Sequence, residues 1–117
     1  MKEGKSIKKK EYKITYSRDF RQNLKEVHKS LNEYYDGSYG RFDKRLNKNL
    51  ERLKLFPHKF QTMENEKEFR RFFIQNYVII YKVEINQIIL FRILPNKSNY
   101  IQEGIYKTKF PKKEIKI

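Results

Sequence analysis

The chain has 117 residues, the length of one domain with a single packed core. Its 28 Lys and Arg against 14 Asp and Glu leave a formal charge of +14, which favours polyanionic partners, either nucleic acid or an acidic protein. There is no cysteine, so disulfides, thiol catalysis and cysteine-based zinc sites are excluded. The charge is uneven: residues 1–13 and 105–117 each carry +4, more than half of the total between them. Residues 1–13 have a basic start but no apolar run behind it, unlike a secretory signal. The most apolar stretch, 72–94, is interrupted by Asn76, Lys82, Glu84, Asn86 and Gln87, so it does not read as a membrane span.

In chain order, Tyr12-Lys13-Ile14-Thr15-Tyr16 alternates and is rich in β-formers, which predicts a short strand. Ser17 follows as an N-cap, with Asp19 in the first turn, where a carboxylate suits the helix dipole. Phe20, Leu24, Val27, Leu31 and Tyr34 then form the apolar stripe of a helix over 18–35. Asp36-Gly37-Ser38-Tyr39-Gly40 predicts a break. A second stripe of Phe42, Leu46, Leu50 and Leu53 predicts a helix over 42–55, closed by Pro57. So short a link makes the two helices an antiparallel hairpin.

From Phe69 the periodicity becomes that of strands. Runs at 69–74, 77–84 and 88–94 are separated by Gln75-Asn76 and Ile85-Asn86-Gln87, which predicts an antiparallel meander. The near-continuous apolar character of these runs implies that both faces of the sheet are partly covered. Leu24, Val27, Leu31, Leu46, Leu50 and Leu53 are expected against Ile79, Tyr81, Ile89 and Phe91, or against their alternates. The fold class is therefore α+β, ordered β-α-α-β-β-β, with a twisted antiparallel sheet and the hairpin on one face. The folded domain is expected over 12–104, between a flexible basic N-terminus (1–11) and a basic C-terminal tail (105–117).

The chemistry-bearing residues are few. His28 and His58 are isolated from clustered carboxylates, so neither a metal site nor a cofactor is expected. No Gly-rich phosphate loop and no Ser-His-Asp arrangement is present. Most of the nine Tyr and nine Phe fall on the helical stripes or in strands, where they read as core; Tyr39 and Tyr100 fall in expected loops and are the better contact residues.

This element order, together with the length and charge, resembles the RelE/ParE toxin superfamily of bacterial type II toxin–antitoxin systems. The run Tyr12 to Ser17 looks like the family's first strand and entry to the helical hairpin, and Leu53-Lys54-Leu55-Phe56-Pro57 like the exit from its second helix. The strongest match is the string from Phe69 to Lys82, where Arg71 stands six residues before Tyr77, with Tyr81 four further on. Residues 88–94, with Arg92, are similar to the last strand. Two positions depart from the pattern: Pro95 stands where many members have His, and Phe73 replaces a second Arg.

The resemblance implies a cytoplasmic toxin that arrests growth by ribosome-dependent cleavage of mRNA, as a metal-independent endoribonuclease. In that chemistry the ribose 2′-hydroxyl attacks the adjacent phosphodiester, which needs a base, an acid and a cation. Arg71 would clamp the phosphate charge, Lys97 would assist it or act as base, and Tyr100 would stack on a base or donate a proton. Arg70, Arg92 and Tyr39 would contact nucleic acid or another target. The alternatives are non-catalytic inhibition of DNA gyrase, which needs no catalytic set, and an inactive nucleic-acid-binding relative. In either toxin reading the partners are an acidic antitoxin from a neighbouring gene and either ribosome-bound mRNA or gyrase, with no role for a membrane.

Overall fold

The computed structural model describes residues 11–34 and 38–96, without the side chains at 34, 38 and 39. Six elements follow in the order β1 (Lys13–Tyr16), α1 (Arg18–Tyr34), α2 (Ser38–Leu55), β2 (Phe69–Ile74), β3 (Tyr77–Glu84) and β4 (Gln87–Pro95). This is the expected α+β order. The second helix begins four residues ahead of the expected start, taking in Gly40, beside which there is open space. No described helix is long and apolar enough to cross a membrane.

The sheet runs β1-β4-β3-β2. The last three strands form the expected antiparallel meander, with Arg71 opposite Ile80 and Ile80 opposite Arg92. Each hairpin turns on two residues, with Gln75 at φ 55° and Asn86 at φ 65° supplying the left-handed position that a tight β-turn requires. The first strand departs from an all-antiparallel sheet. It pairs parallel to β4, Ile14 opposite Ile88 and Tyr16 opposite Leu90, so the sheet is mixed at that edge. A first strand can lie parallel to a last strand because the whole intervening chain serves as the crossover.

Both helices pack on one face. Phe20 and Val27 of α1 and Phe42, Leu46, Leu50 and Leu53 of α2 are buried against Phe72, Ile74, Ile79, Tyr81, Ile88, Leu90 and Ile93. Leu24 and Leu31, expected in the core, are half-buried at its margin. On β4 it is the alternates, Ile88 and Leu90, that face the helices. The register slips between Ile80 and Tyr81, where Leu90 and Arg92 oppose consecutive residues and Phe91 is the extra one. Phe91 lies on the opposite face, beside Met63, Phe69, Val78, Ile80 and Leu94, and past the extra residue it is Ile93 that meets the helices. Burial of both faces explains why Val78, Ile79, Ile80 and Tyr81 are all apolar in succession and all fully enclosed.

The segment after α2 folds over the β2 side of the sheet. Met63 N–H donates to the Phe69 carbonyl (2.8 Å), and Thr62 bridges Arg70 in antiparallel sense. Phe60 stacks on Phe72 with ring centroids 4.9 Å apart. Tyr81 ties this segment to the core, its hydroxyl donating to the carbonyl of buried Pro57 at 3.0 Å. Burial pushes the phenol up to about 12, against the opposing pull of a backbone hydrogen bond from Phe60 and the Arg70 charge. A pKa raised on folding contributes stability that is whole below the unfolded value, near 10, and is lost as pH rises through 12. One tyrosine should therefore ionise about two pH units late in an ultraviolet titration, with stability falling over that window. Tyr81→Phe should remove the late phenol and cost about 1–2 kcal/mol in urea unfolding, because the Pro57 carbonyl loses its donor.

Candidate functional site

The two ends of the sheet differ in what they present. β1 is four residues long and β4 nine, so β4 outruns its neighbour. Ser17 extends the pairing by one step, its N–H donating to the Leu90 carbonyl at 3.0 Å. The Ser17 hydroxyl then donates to the Phe91 carbonyl (2.8 Å) and accepts from Phe20 N–H (2.9 Å), so the N-cap of α1 also serves the sheet. One turn further along, Asn23 Oδ1 accepts from Ile93 N–H at 2.9 Å and from Arg92 Nε at 3.2 Å. The rest of the β4 edge is thus sealed by α1 rather than by a strand.

That seal decides the place of Arg92. Expected on the surface as a target contact, Arg92 is 1% exposed, and its Nε donates to Asn23 at the sealed edge. Sequence reasoning missed Asn23, which is 5% exposed. Its signal was present: it lies three residues after Phe20 and four before Val27, on the apolar stripe itself. Asn23→Ala should cost about 2–3 kcal/mol in urea unfolding, since it strands a buried guanidinium N–H and a backbone N–H. Asn23→Asp keeps an acceptor for both donors and should retain most of the stability.

The outer edge of β1 borders an open groove of about 520 Å³ against α2. Lys13 and Ser17 donate inward to β4, so the backbone of Ile14 and Tyr16 faces outward on this edge. Tyr12 N–H donates to the Lys54 carbonyl at 3.0 Å and closes one end. The groove is lined by Glu11 and Glu51 as well as Lys13 and Lys54, and Lys54 pairs with Glu51 at 3.2 Å. Its charge is balanced.

Arg70 and Arg71 stand at the opposite edge. Arg70 reaches over the post-helix segment and donates to the carbonyls of Phe60 (2.6 Å) and His58 (3.4 Å), so it organises that loop. Arg71, half-buried, points to the other face of the sheet. Its Nη1 meets the Met63 sulfur at 3.8 Å and its guanidinium lies 5.8 Å from the centre of the Phe73 ring. Among the described residues no carboxylate pairs with it. Of the remaining candidates, Tyr39 falls in the first turn of α2 with its side chain outside the described part, and Lys97 and Tyr100 lie outside the described residues. His28 is engaged across the hairpin, its Nε2 2.7 Å from Asp43 Oδ1.

Residues 14–100 match the family described as the ParE toxin of the type II toxin–antitoxin system parDE. The chain belongs to the ParE toxin family. The fold agrees with a solved structure of the chromosomal ParDE system from P. aeruginosa, at a TM-score of 0.60 and 9% identity, covering 74% of this chain and 97% of that one. No curated protein sequence matches the chain. The ParE match overturns the expectation of RelE-like, ribosome-dependent mRNA cleavage: the family it shows is that of ParE-type toxins. The geometry accords with the correction. Pro95 ends β4 where many members of the superfamily have His, and Phe73 takes the place of a second Arg.

Proposed function

We propose that this toxin arrests growth in the cytoplasm by inhibiting DNA gyrase without covalent chemistry, and that an acidic antitoxin from a neighbouring gene restrains it. The observation that carries this reading is the ParE family match over 14–100, which includes every described strand and helix except the first residue of β1. Two features support it. The ionised surface suits binding more than catalysis, because the cations outnumber the acids two to one and no carboxylate pairs with Arg71 among the described residues. A +14 chain also attracts an acidic protein at long range, which favours fast capture by an antitoxin. The toxin unit is assigned to 12–104, with the basic ends 1–11 and 105–117 adding to that attraction.

Induction of the chain alone should stop growth while the cellular mRNA stays intact, and purified chain should block supercoiling of a relaxed plasmid by purified gyrase. Co-expression of the neighbouring gene should restore growth, and its product should be retained with the chain at moderate salt. Growth arrest with gyrase still active would reject gyrase as the target.

A further inference from the structure

The β2 edge is covered along only part of its length. Phe69 and Arg71 are the residues whose backbone faces outward, and both are occupied: Phe69 N–H donates to the Glu66 carbonyl (3.0 Å), its carbonyl accepts from Met63 N–H, and Arg71 N–H donates to the Gln61 carbonyl (3.3 Å). The covering segment then leaves the edge, turning at Lys59, whose N–H donates to the Phe56 carbonyl. The next outward residue is Phe73. Alternation along the strand directs its N–H and carbonyl away from β3, and among the described residues no neighbour takes either.

Three features converge at this point. The Phe73 backbone offers one donor and one acceptor in strand geometry. Its ring is 49% exposed, although it sits beside a packed apolar cluster. The Arg71 guanidinium, steadied by Met63 and the Phe73 ring, carries a charge that no acid among the described residues answers. An unpaired strand edge takes an extended peptide, and aromatic residues and Arg are enriched at protein interfaces.

We infer that Phe73 and Arg71 form the docking point for an extended acidic segment of the antitoxin, which adds one strand step to β2 and places a carboxylate on Arg71. This rests on the antitoxin pairing proposed above and names where on the toxin it is made. Charge complementarity selects this edge over the other: the β1 groove already holds Glu11 and Glu51, whereas among the described residues no carboxylate pairs with Arg71. A carboxylate accepting two parallel N–H bonds from the guanidinium would fix the register of the added strand. Single-stranded RNA also pairs cations with aromatics, but it offers no acceptor and donor spaced to bond a strand backbone.

The test uses the full chain purified with the neighbouring gene's product. Amide hydrogen exchange at Phe73 should be fast in the free toxin and slowed at least tenfold in the complex. Arg71→Glu and Phe73→Asp should each weaken the complex roughly 30-fold or more. Lys44→Glu, an equal charge change on an exposed face of α2, should leave it within threefold. Circular dichroism and thermal melting establish that the variants fold, and the exchange measurement on the unaltered chain stands if they do not. An unprotected Phe73 amide in a tight complex overturns this site and leaves the pairing itself intact. So does an Arg71→Glu variant that loses only gyrase inhibition or only binding to a single-stranded RNA oligonucleotide. If the unaltered chain binds no neighbouring product, both the pairing and this site fall.

Discussion

The structure depends most on how the β4 edge is satisfied beyond the end of β1. Strand-edge N–H and C=O groups that are buried must find partners, and β1 is five residues too short to supply them. Ser17 and Asn23, both near the start of α1, supply them instead. This one arrangement sets the height and angle at which α1 crosses the sheet, and α2 follows because the hairpin is short. It also creates the enclosed pocket in which Arg92 sits, where an oxygen of Asn23 is shared between a side chain and the backbone. Polar contacts of this kind specify one docking of helix on sheet, whereas apolar contacts alone would tolerate several.

The two faces of the sheet are covered by different means. The helical hairpin covers one, and the irregular segment between α2 and β2 contributes Met63 to the other. That segment has little secondary structure of its own, so it is held by long-range bonds. Tyr81 grips it from the core and Arg70 from the strand. The work of Arg70 is therefore internal, while its neighbour Arg71 faces the opposite side of the same strand and remains available. Adjacent residues on a strand part in this way because successive side chains leave the pleat on opposite faces.

Loss of the cleavage reading changes what the basic residues mean. A ribonuclease needs proton donors and acceptors at fixed distances from a phosphate. A toxin that works by occupying a protein needs exposed anchors and shape. The described surface offers anchors, chiefly an exposed Phe73 under a guanidinium at the uncovered part of the β2 edge. The excess of positive charge then acts over distance, on the rate and choice of partner.

The element order, the N-cap at Ser17, the hairpin and the bounds of β2 and β3 were all legible in the residues. Each is written in local signals: a stripe at helical spacing, a capping hydroxyl, an alternation closed by a turn. Membership of the wider superfamily was legible too, because the spacing of Arg71, Tyr77 and Tyr81 survives without the fold. Three features were decided only in three dimensions. The parallel pairing of β1 with β4 joins residues more than seventy positions apart, and no local periodicity encodes that partner. The extra residue at Phe91 reverses which side chains of β4 meet the helices, and a run of apolar residues reads the same with or without it. Arg92 looked like any strand arginine until Asn23, distant in sequence, enclosed it. Composition and period determine which elements form, but the contacts that decide exposure are made between elements, where the sequence has no short-range pattern to show them.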